Sequence, residues 1–75
     1  MFEKKIEFRD TNELREFVKA AEKCDFDINV IYGNTCIDAK SLLGMIYLGF
    51  CKVLTIQYGH KDVCFENAIS KYAVA

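Results

Sequence analysis

Hydrophobic residues recur along the chain at two spacings, one typical of strands and the other of amphipathic helices. Phe2, Ile6 and Phe8 alternate with charged residues, and Lys4 interrupts the alternation; this pattern predicts a strand with one solvated face. An amphipathic helix is predicted next by a stripe at positions i, i+3, i+4 and i+7, formed by Leu14, Phe17, Val18 and Ala21. Asp10, followed three residues later by Glu13, is a suitable N-cap for this helix.

The middle of the chain predicts a hairpin followed by a short apolar helix. Residues 28–32 alternate again, and the Gly-Asn pair at 33–34 tolerates the positive φ of a tight turn. The segment 35–38 is the expected returning strand. Ser41 is a good N-cap for a helix over 42–48, which is more apolar than a fully solvated helix would be.

The last third of the chain predicts a central strand and a final helix. Residues 53–58 are rich in β-branched and aromatic side chains, and Gly59 begins a turn that leads to the N-cap candidate Asp62. The helical stripe repeats at Phe65, Ala68, Ile69 and Tyr72. The order β-α-β-β-α-β-α predicts an α+β two-layer sandwich, in which helices cover one face of a four-stranded, mainly antiparallel sheet. We expect one domain over residues 1–75.

Composition limits the classes of function. The chain has 75 residues, a net charge of −1 and 52% hydrophobic residues, which fits one small core. Its basic residues are scattered, so neither a nucleic acid nor a membrane is expected as a partner. No apolar run is long enough to span a bilayer, and the N-terminus does not resemble a signal peptide. We therefore expect a cytoplasmic protein without a cofactor.

Four cysteines are spread along the sequence at Cys24, Cys36, Cys51 and Cys64. They form no C-x-x-C pair and have no neighbouring histidine, so a metal site is not expected. In a cytoplasmic protein they are expected to be reduced. The sequence therefore predicts four buried or half-buried thiols that act as small hydrophobic groups.

The segment 39–49, AKSLLGMIYLG, resembles the regulatory-serine segment of HPr, the phosphocarrier of the bacterial sugar phosphotransferase system. The likeness extends without a gap over residues 18–50, and the HPr fold has the element order predicted above. It implies that Ser41 is the serine that HPr kinase/phosphorylase modifies. It also implies that Leu42, Leu43 and Ile46 contact protein partners. Two alternatives stay open from the residues themselves: Ser41 as an unmodified cap, and the three apolar residues as part of the core.

HPr carries its phosphoryl group on a histidine before the first helix, whereas the matching segment 8–14 reads FRDTNEL. Counting back from the first helix pairs Asp10 with that histidine and Asn12 with the family's arginine, although counting from the first strand gives another pairing. The resemblance therefore implies a non-enzymatic regulatory module, similar to the catabolite-repression HPr paralogues. Its partners would be phosphotransferase-system enzymes, HPr kinase or a transcriptional regulator. The alternatives are a diverged phosphocarrier that uses Asp10 or His60, and an orphan HPr-fold interaction domain.

Overall fold

The computed structural model describes residues 1–74 and contains four strands and three helices. Their bounds are β1 (Phe2–Glu7), α1 (Thr11–Glu22), β2 (Ile28–Tyr32), β3 (Thr35–Asp38), α2 (Leu42–Leu48), β4 (Val53–Tyr58) and α3 (Val63–Ser70). The predicted order of elements and the α+β class are confirmed.

The strands form one antiparallel sheet in the order β1-β4-β2-β3, so β4 is central as predicted. In this register Ile6 lies opposite Leu54, and Val30 lies opposite both Ile56 and Ile37. These side chains share the face of the sheet that is buried against the helices. The residues between them point to the other face, which stays exposed or half-exposed.

The core is built from apolar side chains of all three helices and of the buried sheet face. Aromatic rings lie at its centre: the Phe8 ring is 5.3 Å from that of Phe17 and 5.1 Å from that of Tyr72. These distances fall within the favourable range for aromatic pairs. Every residue of the predicted α1 stripe is buried, which confirms the side of the helix that was expected to face the sheet. The buried residues are Ile6, Phe8, Leu14, Phe17, Val18, Ala21, Ile28, Val30, Ala39, Met45, Leu48, Leu54, Ile56, Tyr58, Phe65, Ile69 and Tyr72.

The segment after α3 covers the outer edge of β1. The Glu7 amide donates to the Tyr72 carbonyl at 2.9 Å, and the Val74 amide donates to the Lys5 carbonyl at 3.0 Å. Tyr72 was predicted as the last position of the helical stripe, but α3 ends at Ser70. Tyr72 reaches the core from this added edge segment instead.

Lys4 explains the interruption in the alternating pattern of β1. It lies on the core side of the strand, and its ammonium group is 3.4 Å from the carboxylate of Glu66 in α3. The same carboxylate accepts a hydrogen bond from the Tyr58 hydroxyl. Phe2 is half-exposed, so the tightly packed part of β1 begins only at Ile6.

Two tyrosine hydroxyls at the border of the core are paired with carboxylates. Burial raises the pKa of Tyr58, and its hydrogen bond to Glu66 raises it further. Burial likewise raises the pKa of Tyr72, together with a 3.1 Å hydrogen bond to Glu16. Both hydroxyls therefore remain protonated donors well into the alkaline range.

Candidate functional site

The start of α1, where counting back from the helix places the phosphoryl acceptor of HPr, is capped by two carboxylates. Asp10 is the N-cap, and its Oδ1 accepts a hydrogen bond from the Glu13 amide at 3.0 Å. The Glu13 side chain reaches back and accepts from the Arg9 amide at 2.8 Å. Both carboxylates are thus engaged by the backbone. Asn12 is exposed in the first turn of the helix.

The loop after α2 lies against this helix start, a contact that sequence analysis missed. The Cys51 amide donates to the Phe8 carbonyl at 2.8 Å, and its thiol lies 3.7 Å from the Arg9 carbonyl oxygen. Cys51 adopts a positive φ of 64°, which is uncommon for a residue with a side chain. The end of α2 and the start of α1 therefore form one continuous region of the surface.

Ser41 begins α2 as the sequence predicted. It is exposed, and its Oγ accepts a hydrogen bond from the Gly44 amide at 3.2 Å. Gly44 has to be small here, because a Cβ at this position would lie 2.5 Å from Cγ2 of Ile37. A glycine in the first turn thus lets the helix start sit close to β3.

Helix α2 has an anchored side and an exposed side. Met45 and Leu48 are buried in the core. The outward side is apolar as well, and we call its four exposed residues, together with Phe50 in the following loop, the α2 patch. Its members and their exposed fractions are Leu42 (39%), Leu43 (82%), Ile46 (46%), Tyr47 (79%) and Phe50 (43%).

The α2 patch contains the three predicted binding residues and two residues that were not predicted. Leu42, Leu43 and Ile46 were predicted as exposed binding positions, and their exposure excludes the alternative that they belong to the core. Tyr47 and Phe50 were not predicted, although Tyr47 follows Leu43 at i+4 and was the available signal. Exposed apolar residues that cluster in this way mark interaction surfaces.

His60 lies in a different part of the molecule from Asp10. Its ring is 5.3 Å from that of Phe26, and it lines a shallow cleft with Asp25 and Asp27. The residues around Asp10 border a separate cleft that contains Arg9. The fold therefore does not bring together the two candidate phosphoryl acceptors of the alternative hypothesis.

The prediction of four buried or half-buried cysteines is wrong for three of them. Only Cys24 is half-buried, whereas Cys36, Cys51 and Cys64 are exposed, and all four are free thiols. Cys36 lies on the open face of the sheet, Cys51 in the loop after α2, and Cys64 in the first turn of α3. A cysteine is too small for its burial to show in a hydrophobic pattern, so the surrounding fold decides it.

Two further findings concern residues 1–74 only. No group of three or more histidine, cysteine, aspartate or glutamate side chains in this range is arranged to hold a metal ion. None of the helices in the described part of the chain has the length and apolar character needed to span a bilayer.

The architecture is that of a small α+β two-layer sandwich with an antiparallel sheet in the order 1-4-2-3. Among solved structures, the chain is similar to the crystal structure of HPr-C-His from Thermoanaerobacter tengcongensis. The two are 24% identical with a TM-score of 0.76, and the match covers 95% of this chain and 93% of that chain. The protein therefore has the HPr fold, as the resemblance implied. No protein-family model and no curated protein matches the chain.

Proposed function

We propose that the protein is a regulatory, protein-binding module of the HPr fold that docks through the α2 patch and does not carry a phosphoryl group on histidine. The α2 patch is the observation that supports this proposal most directly. Its most prominent members, Leu43 and Tyr47, are about four-fifths exposed, and covering such apolar side chains favours association. The resemblance to HPr supplies the candidate partners: phosphotransferase-system enzymes, HPr kinase or a transcriptional regulator.

Phosphorylation at Ser41 is the proposed switch, and the charges at the three helix starts support this choice. The start of α1 carries Asp10 and Glu13, and the start of α3 carries Asp62 and Glu66. The start of α2 has a neutral cap and no acidic residue in its first turn. Within residues 1–74, an added phosphate would thus meet least repulsion from helix residues at Ser41, where it would also interact favourably with the helix dipole.

The phosphate would change docking rather than folding. Its oxygens can replace Oγ of Ser41 as acceptors for the Gly44 amide, so the cap is kept. The new charge would lie directly beside Leu42 and Leu43, and near Asp38, whose carboxylate holds the Lys40 amide at 2.9 Å. The modified surface would therefore favour a partner that presents arginine or lysine next to an apolar contact.

The carrier alternative has less support. A phosphoryl acceptor has to be free to attack the donor. The Asp10 carboxylate is instead held by the Glu13 amide. His60 packs beside Phe26, in a cleft that the residues of the α1 start do not line.

Intact-mass spectrometry after two incubations separates these proposals. In the first, the protein is mixed with HPr kinase and ATP, and we expect one added phosphoryl group. Ser41→Ala should abolish this addition, whereas Ser70→Ala, which removes the other serine of the chain, should leave it unchanged. Leu43→Ser should slow the reaction by weakening docking. The matched control Val63→Ser, at an exposed apolar residue on α3, should not slow it.

In the second incubation the protein is mixed with enzyme I and phosphoenolpyruvate. We expect no label. Labelling would overturn the proposal in favour of the carrier, and loss of the label in His60→Gln or in Asp10→Asn would identify the acceptor. If neither incubation adds a label, the remaining hypothesis is an orphan HPr-fold interaction domain that binds its partner through the α2 patch.

A further inference from the structure

Two of the four thiols line a common cleft between the end of α1 and the start of α3. Cys24 follows the C-cap of α1, and Cys64 lies in the first turn of α3. In the described part of the chain, neither Cys36 nor Cys51 borders this cleft. The residues that line it are Ala20, Lys23, Cys24, Asp62, Cys64, Phe65 and Ala68. The pair is thus placed together by the packing of two elements that are distant in sequence.

We propose that Cys24 and Cys64 are a redox-active dithiol, which a small-molecule disulfide such as glutathione disulfide converts into an intramolecular disulfide that links α1 to α3. The site is independent of Ser41 and of the α2 patch. Nothing in the proposed docking function requires it.

The packing leaves an open cleft beside both thiols. The cleft has a volume of about 330 Å³, and it is bordered by the small side chains of Ala20 and Ala68. Cys24 lies outside the regular helix, and Cys64 lies in a first turn, so both positions are at element ends where small backbone shifts are tolerated. A disulfide requires Cα atoms about 4–7 Å apart. The proposal therefore requires the ends of α1 and α3 to bring these two Cα atoms to that separation, with both side chains turned toward the cleft.

The surroundings of the two thiols assign them different roles. Cys64 is exposed and meets the oxidant first. Cys24 is half-buried, and its thiol lies 3.6 Å from the Ala20 carbonyl oxygen, to which it donates a hydrogen bond. Burial raises the pKa of the Cys24 thiol, and the nearby Asp62 carboxylate raises it further, with a partial offset from Lys40. Cys24 is therefore the resolving thiol.

The reaction balances as two successive thiol–disulfide exchanges. The Cys64 thiolate attacks one sulfur of glutathione disulfide, which forms a mixed disulfide and releases one glutathione thiolate. Cys24 then loses its proton to solvent and attacks the Cys64 sulfur, which releases the second glutathione. Two protein thiols are oxidised by two electrons, and one glutathione disulfide is reduced to two thiols.

The test uses the reduced full chain under native conditions. After incubation with glutathione disulfide and alkylation of the remaining thiols, we expect a product that lacks two hydrogens and keeps two alkylated cysteines. Peptide mapping should show a bond between Cys24 and Cys64. Cys24→Ser should stop the reaction at a glutathione adduct on Cys64, and the double variant Cys36→Ser/Cys51→Ser should still form the bond.

Three results would overturn the proposal. The wild type could form glutathione adducts without an intramolecular disulfide, or a disulfide between another pair of cysteines. The third result is a yield of intramolecular disulfide in Cys24→Ser that equals the wild-type yield. The mapping of the wild type decides the question even if a serine variant folds poorly. A thermal scan supplies a second readout. The bond closes a loop of about 40 residues, so the oxidised wild type should melt roughly 15 °C or more above its reduced form. Oxidant should not raise the Tm of Cys64→Ser.

Discussion

Replacing Gly44 with alanine should destabilise the protein, although alanine is the better helix former. A Cβ on Gly44 would lie 2.5 Å from Cγ2 of Ile37 and 3.2 Å from Oγ of Ser41. Ile37 is β-branched, so its methyl group cannot move away without a change of rotamer. Overpacking costs about 2 kcal/mol and the gain in helix propensity is about 1 kcal/mol, so the free energy of unfolding should fall by about 1 kcal/mol.

A double-mutant cycle with Ile37→Ala isolates the contact responsible. Ile37→Ala removes the methyl group that the new Cβ would meet. In that background Gly44→Ala should stabilise the protein by up to about 1 kcal/mol, because only the helix propensity remains. The sign of the Gly44→Ala effect is therefore expected to reverse between the two backgrounds, with a coupling energy of about 2 kcal/mol.

The assay is urea unfolding of the four proteins of the cycle, monitored by circular dichroism. Gly59→Ala is the control, since no atom lies within 4 Å of a Cβ at Gly59 and its φ is not positive. It should change the unfolding free energy by less than about 1 kcal/mol. The reasoning is refuted if Gly44→Ala stabilises the wild type, or if it has the same effect in both backgrounds.

Three further predictions concern the helix start, the strained loop and the alkaline limit of stability. Asp10→Ala should cost about 1 kcal/mol in urea unfolding because the Glu13 amide loses its acceptor, while Asp10→Asn should keep most of this stability. Cys51→Gly should raise Tm, because glycine relieves a positive φ that costs about 1 kcal/mol, and Cys51→Ala should not. The pKa of Tyr58 is higher in the folded state than in the unfolded chain, so the protonated hydroxyl stabilises the fold below a pH of about 10. This contribution to the free energy of unfolding should be lost as the pH rises above about 10. Tyr58→Phe should weaken this loss in pH-dependent urea unfolding, and an unchanged profile would contradict the assignment.

The elements were predictable because their signals are local. The caps Asp10, Ser41 and Asp62 each accept a hydrogen bond from an amide three residues ahead, which a short sequence motif can indicate. The contact of Cys51 with Phe8 joins residues more than forty positions apart, and no local pattern signals it.

The surface was harder to predict than the core. The helical period separates the buried Met45 from the exposed Leu43 on α2. It does not extend to Phe50, which lies beyond the end of the helix. Cys36 and Cys64 are exposed because the folded sheet and helices leave their positions uncovered. A small side chain contributes too little to packing to determine which positions are covered.

Helix α2 separates the residues that hold it in place from those that are available to a partner. Met45 and Leu48 fix the helix to the core, so truncating either would lower stability by about 2–4 kcal/mol. Leu43 and Tyr47 contribute little to folding because most of their surface stays in water. We therefore expect Leu43→Ser to lose the proposed partner binding and to keep its fold. Ser41 caps the same helix, so a charge added there would change the proposed binding surface while the buried side of the helix remains anchored.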